Sequence, residues 1–157
     1  MKFARLRNAV AALSLAGTLG TGAAWALPPA SPVTPELVEA AKREGKATFY
    51  TSVDVEVAEK IKSAFKAKYP GIDLQVERSG SERIFQRIGQ EYTSGIYNAD
   101  VVSTSDAAHY ILWKREGWLA PYVPEDVAKH YVPDNVDPDG LFATWRASFS
   151  VVGYNTK

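Results

Sequence analysis

"VERSGSERIFQRIGQE", residues 76–91, joins two periodicities. Val76 closes an alternating run with Ile72 and Leu74, the pattern of a half-buried strand. Ile84, Phe85, Ile88 and Tyr92 then recur at helical spacing. Between them, Ser79, Gly80, Ser81 and Glu82 form a strand-to-helix corner. Ser79-x-x-Glu82 has the form of a capping box, in which a hydroxyl and a carboxylate satisfy free N–H groups of the first turn. A corner of this kind also suits the wall of a ligand site, because free N–H groups and the positive end of the helix dipole point out of it.

The unit repeats on both sides. Upstream, Thr34 caps a helix that has Pro35 at its first position, an apolar stripe of Leu37, Val38, Ala40 and Ala41, and Gly45 at its end. Residues 47–51 read as a short strand. Asp54 opens a second helix, with Val57, Ala58, Ile61, Ala64 and Phe65 at helical spacing and Pro70-Gly71 as its stop. Downstream, the third helix ends near Gly95 and residues 99–103 read as a buried strand. Asp106 opens a fourth helix, with Ala107, Ala108, Ile111 and Leu112 inward and Gly117 at its end. Residues 121–131 suit a short helix between loops, and 149–154 a last strand. Strands alternating with helices in this way imply an α/β fold, a mainly parallel sheet flanked by helices.

Ligands of such sheets bind beyond the carboxyl ends of the strands. Three corners fall there: Thr51-Ser52-Val53-Asp54, Ser79-Gly80-Ser81-Glu82 and Ser103-Thr104-Ser105-Asp106. The candidate ligand-binding residues are Thr51, Ser52, Asp54, Ser79, Gly80, Ser81 and Ser105. Capping alone accounts for any one corner, since Ser, Thr and Asp are preferred caps. Three hydroxyl-bearing corners at one sheet edge favour a site.

Catalytic signatures are missing from the sequence. There is no G-x-S-x-G elbow, no H-E-x-x-H, no phosphate-binding loop and no dinucleotide fingerprint. The two histidines, His109 and His130, have no motif around them and suit a packed or surface role. No resident cofactor is expected, and the chain reads as a non-enzyme. There is no cysteine, which excludes disulfides and thiolate metal sites.

The N-terminus sets the compartment. Lys2, Arg5 and Arg7 precede a small-residue apolar run from Ala9 to Ala24, and Ala24-Trp25-Ala26 fits cleavage after Ala26. Residues 1–26 therefore read as a signal peptide and the product as exported to a periplasm. Their removal takes away three basic and no acidic residues. The balance of 18 basic and 18 acidic residues then becomes a net −3, with no electrostatic footprint for nucleic acid. No later segment is apolar enough to insert in a membrane. Residues 27–34 are Pro-rich and read as a flexible lead-in.

Together, F-Y-T-S at 49–52, K-Y-P-G-I at 68–72, A-D-V-V at 99–102 and G-W-L-A-P-Y at 117–122 resemble the first lobe of an ABC-transporter substrate-binding protein. The resemblance covers residues 35–157 and is to the type 2 periplasmic binding proteins, in the ferric-iron-binding branch. It implies a lobe over residues 35–149 and, over 150–157, the start of a crossover strand to a second lobe. It implies a metal or small-molecule solute, an ABC permease as partner, and a monomer when full length.

For iron, the resemblance implies a glutamate from the second corner, matched by Glu82, and a histidine from the first. That histidine is not matched. Asp54 stands nearest, and its oxygens would suit Fe(III) as the transported ligand. For a phosphorylated or other anionic solute, the hydroxyl corners with Arg78, Arg83 or Arg146 would grip the anion. Two other classes stay open: an exported hydrolase-like enzyme using Asp54 and Glu82 as an acid–base pair, and the sensing lobe of a receptor.

Overall fold

The structure, a computed structural model, describes residues 29–147 and 151–156. The expected signal peptide, residues 27 and 28 of the lead-in, residues 148–150 and Lys157 lie outside them. Helix α1 (Pro35–Glu44) begins as its sequence implies: the Thr34 hydroxyl accepts from Leu37 N at 3.2 Å, and Pro35 occupies the first turn. It stops at Gly45, whose φ of 77° is the left-handed conformation that glycine adopts without steric cost. The lead-in is tied down at Ser31, which bridges Pro124 in parallel and donates from its N–H to Val123 O at 2.7 Å.

Strands β1 (Lys46–Thr51), β2 (Asp73–Arg78) and β3 (Val101–Ser103) form one parallel sheet in the order β2-β1-β3. Helix α2 (Val55–Lys68) crosses from β1 to β2, and α3 (Ser81–Thr93) runs between β2 and β3. Helix α4 (Ala107–Arg115) follows β3, and a short α5 (Glu125–His130) follows a loop. The register pairs Thr51 with Arg78 on one side and with Ser103 on the other. The three strands therefore end flush, and every strand-to-helix corner opens at the same edge.

The core gathers on the face of β1 that carries Tyr50, where Ile84, Ile88 and Trp113 close around it. A network at the back of that core fixes α3 on β1. The Tyr50 hydroxyl donates to Glu91 Oε1 at 2.9 Å, and Arg87 Nε donates to the same oxygen at 2.8 Å. The Arg87 guanidinium also pairs with Glu77 and lies 4.3 Å over the Tyr50 ring. Burial and the bond to Glu91 push the Tyr50 hydroxyl up to about 12. Burial pushes Glu91 upward, but hydrogen bonds from Arg87, Tyr50 and Asn98 outweigh it and hold the carboxyl below its ordinary range.

Three expectations need correction. Helix α4 turns a different face inward: His109 and Trp113 are buried, whereas Ile111 is 62% exposed and Ala107 and Ala108 lie at the surface. Trp113 has far more area to bury than Ile111, and it sets the rotation of the helix. β3 is shorter than expected, and Val101 is exposed at the sheet edge. Residues 151–154 form no strand; Val151 and Val152 are almost fully exposed. Residues 151–154 pair with neither edge strand of the β2-β1-β3 sheet, so they lack the ladder hydrogen bonds that define a strand; positions 149 and 150 of the expected strand lie outside the described residues.

Candidate functional site

The three corners meet, and they are bonded to one another. Ser79 N donates to Thr51 O at 3.1 Å, and Ser52 N donates to Ser103 O at 2.9 Å. The second and third corners touch through side chains. Ser81 Oγ lies 2.8 Å from Ser105 Oγ and accepts from Ser105 N at 3.0 Å. The N-termini of α2, α3 and α4 consequently lie at one edge of the sheet.

The sequence-derived candidates divide by what they already do. Thr51 is fully buried, and its hydroxyl accepts from Val53 N at 3.2 Å, which shapes the first corner from within. Ser52 Oγ is buried and without a hydrogen-bond partner among the described residues. Asp54 is the N-cap of α2, but its side chain makes no capping bond. Arg78 Nε donates to Val53 O at 3.1 Å, so this guanidinium braces the first corner.

At the second corner the capping box does not form. The N-cap of α3 is Gly80, not Ser79, and no side chain caps it. The chain enters the helix one residue later than the motif implies. Ser81 is thereby freed to reach Ser105, and the Glu82 Oε1 accepts instead from Gln86 Nε2 at 3.1 Å, one turn on. Gly80 has a φ of −66°, and a Cβ there would meet nothing within 4 Å, so neither backbone strain nor crowding demands glycine.

The third corner is capped by Asp106, whose Oδ1 accepts from Ala108 N at 2.9 Å. Behind Ser105 lies a cavity of about 160 Å³ lined by Ser103, Thr104, Tyr110, Trp145 and Arg146. Trp145 Nε1 donates to Ser103 Oγ at 3.0 Å, and the Arg146 guanidinium sits 5.8 Å from the Trp145 ring. Arg146 therefore lines the same cavity as the third corner.

Sequence reasoning missed His109. It is 6% exposed, and its ring stacks on Phe85 with centroids 4.4 Å apart and planes 15° apart. Its Nδ1 lies 3.2 Å from Thr104 Oγ1, and its Nε2 lies 3.6 Å from Glu82 Oε2 and 4.0 Å from Asp106 Oδ2. Glu82 and His109 sit on different helices, and no short motif links them. Among the described residues, no group of three or more His, Asp or Glu is arranged to hold a metal unaided.

An α/β sheet of three parallel strands with its corner site at one edge is the architecture of a periplasmic-binding-protein lobe. The chain is similar to iron-bound HitA from Pseudomonas aeruginosa, at 25% identity and a TM-score of 0.53 over 60% of this chain and 30% of that one. It shares its fold with Trichodesmium IdiA (FutA), solved in complex with iron and citrate ligands, at 21% identity and a TM-score of 0.50 over 62% of this chain and 30% of that one. The chain thus spans about 30% of the length of either neighbour. No protein-family model and no curated protein matches it. Both of these neighbours were solved with iron bound. No helix among the described residues is long and apolar enough to cross a membrane.

Proposed function

We propose that this chain is the first lobe of an exported solute-binding protein serving an ABC uptake transporter, and that its solute is ferric iron. The observation that carries this reading is the convergence of three bonded corners with the Glu82 carboxylate, 67% exposed, at their rim. A hard carboxylate oxygen suits Fe(III), and the likeness to iron-bound HitA points the same way. The second lobe would supply the remaining donors, and a permease would receive the loaded protein. Asp54 is the weaker ligand candidate, because nothing among the described residues orients its side chain.

A small phosphorylated or other anionic solute is the second reading. Ser105 and Arg146 lining one cavity favour it. Titration calorimetry with ferric citrate, inorganic phosphate and a sugar phosphate separates the two. Iron binding that Glu82→Gln weakens at least tenfold supports the first reading; phosphate binding that Arg146→Ala weakens supports the second. Export is tested by N-terminal sequencing of periplasmic material, which should begin Leu27-Pro28-Pro29.

A further inference from the structure

We infer that His109 is a metal ligand that works with Glu82, so that a histidine from α4 and a glutamate from α3 form this lobe's half of an iron site. This rests on the iron reading above and adds to it a donor that no corner motif contains.

The argument starts from the ring's fixed orientation. Stacking on Phe85 at 4.4 Å sets the imidazole plane. The Thr104 hydroxyl, 3.5 Å from Asp106 O, donates to that carbonyl and presents its lone pairs to Nδ1 at 3.2 Å. In the tautomer protonated at Nδ1, that N–H donates to Thr104 Oγ1. A ligating histidine is ordinarily held in this way, with its far nitrogen donating to an oxygen, which fixes the tautomer and aims the other lone pair.

That lone pair is on Nε2. It faces Glu82 Oε2 at 3.6 Å and Asp106 Oδ2 at 4.0 Å. Three acceptors facing one another repel, and a cation among them converts the repulsion into attraction. The spacing also fits. Metal–donor bonds of about 2.1 Å place neighbouring donors roughly 3.0 Å apart in an octahedron and about 3.4 Å apart in a tetrahedron. The 3.6 Å between Nε2 and Oε2 needs only a slight movement of the Glu82 carboxylate, which is 67% exposed and held only through Oε1, by Gln86. Asp106 is held by its capping bond to Ala108 N and stays outside as a source of negative charge. Imidazole and carboxylate together are a donor set that iron accepts.

Pulsed EPR of the whole chain loaded with Fe(III) from ferric citrate tests this directly, because it reads an imidazole nitrogen bound to the metal. The sequence holds two histidines, so the source is resolved by two variants. The wild-type chain should show the coupling, His130→Gln should keep it, and His109→Gln should lose it together with at least tenfold in Fe(III) affinity. Glu82→Gln, at a position 67% exposed, should weaken Fe(III) at least tenfold, with the circular dichroism of the variant unchanged. Iron bound without nitrogen coupling, or with coupling that survives in His109→Gln, overturns the role of His109 and leaves the iron reading standing. Failure of the wild-type chain to take up Fe(III) even from several millimolar ferric citrate, the strength expected of one lobe, overturns both.

Discussion

Ser81 and Ser105 lie 24 residues apart and share a hydroxyl–hydroxyl contact of 2.8 Å, with Ser105 N donating to the same Ser81 oxygen at 3.0 Å. One side chain from the second corner thus holds the third. Ser81→Ala removes both bonds at an exposed position and should cost about 1 kcal/mol. Ser105→Ala keeps the backbone bond and should cost less. In urea denaturation, the double variant should be no less stable than Ser81→Ala alone, because the first change already removes what the second shares. Fully additive losses would show that the corners are not coupled.

The Tyr50–Glu91–Arg87 network gives stability a sign with pH. Glu91 has a folded pKa below its ordinary 4.5, so its contribution is complete above pH 4.5 and is lost as pH falls through the folded value. Glu91→Gln should lose about 1–3 kcal/mol at neutral pH, since it weakens charge-assisted bonds to Arg87 and Tyr50. Its stability should also vary less than that of the wild-type chain below pH 4.5. Urea midpoints at a series of pH values check both effects. A variant whose acid dependence matches the wild type would remove Glu91 from the network.

The inward face of α4 is testable by contrast. Trp113 is 1% exposed within the core around Tyr50, whereas Ile111 is 62% exposed. Trp113→Ala should cost about 3–5 kcal/mol, the range for emptying a large aromatic site. Ile111→Ala should stay within about 0.5 kcal/mol. Equal losses would restore the face that Ile111, Ala107 and Ala108 imply.

That contrast shows where the sequence is legible. The ends of α1 were readable because Thr34, Pro35 and Gly45 act on backbone within one turn of themselves. The shared edge of the corners was readable because alternating strands and helices force a parallel sheet. The face of α4 was not, since the set Ala107, Ala108, Ile111 and Leu112 and the pair His109 and Trp113 both recur at helical spacing; only packing against Phe85 and the core around Tyr50 decides between them. The capping box failed for a related reason. Ser79-x-x-Glu82 is a local pattern, whereas Ser105, which Ser81 bonds, lies in the corner after β3, which sequence spacing does not place beside it. Glu82 and His109 meet through the same tertiary pairing.

The two outer strands differ in how their edges are protected, and this leads to the last prediction. β2 carries Asp73, Glu77 and Arg78, charges that discourage pairing with another chain. β3 offers Val101, 58% exposed, beside a groove of about 600 Å³ whose lining includes Tyr97, Trp118, Tyr122 and Trp145. An apolar edge and an apolar groove together favour association. The solved structures that the chain resembles are about three times as long as the part it matches, so a two-lobe protein has ample polypeptide to cover this face. On its own, the chain should therefore self-associate at micromolar concentration, and Val101→Lys should return it to a monomer without loss of helix content. It should also hold iron weakly. If one lobe retains half of a micromolar binding free energy of about 8 kcal/mol, the affinity left is about millimolar. Sedimentation velocity on the wild-type and Val101→Lys chains, with calorimetry on the monomeric variant, measures both. A wild-type monomer that binds iron at micromolar strength would show that one lobe suffices and that the β3 edge needs no cover.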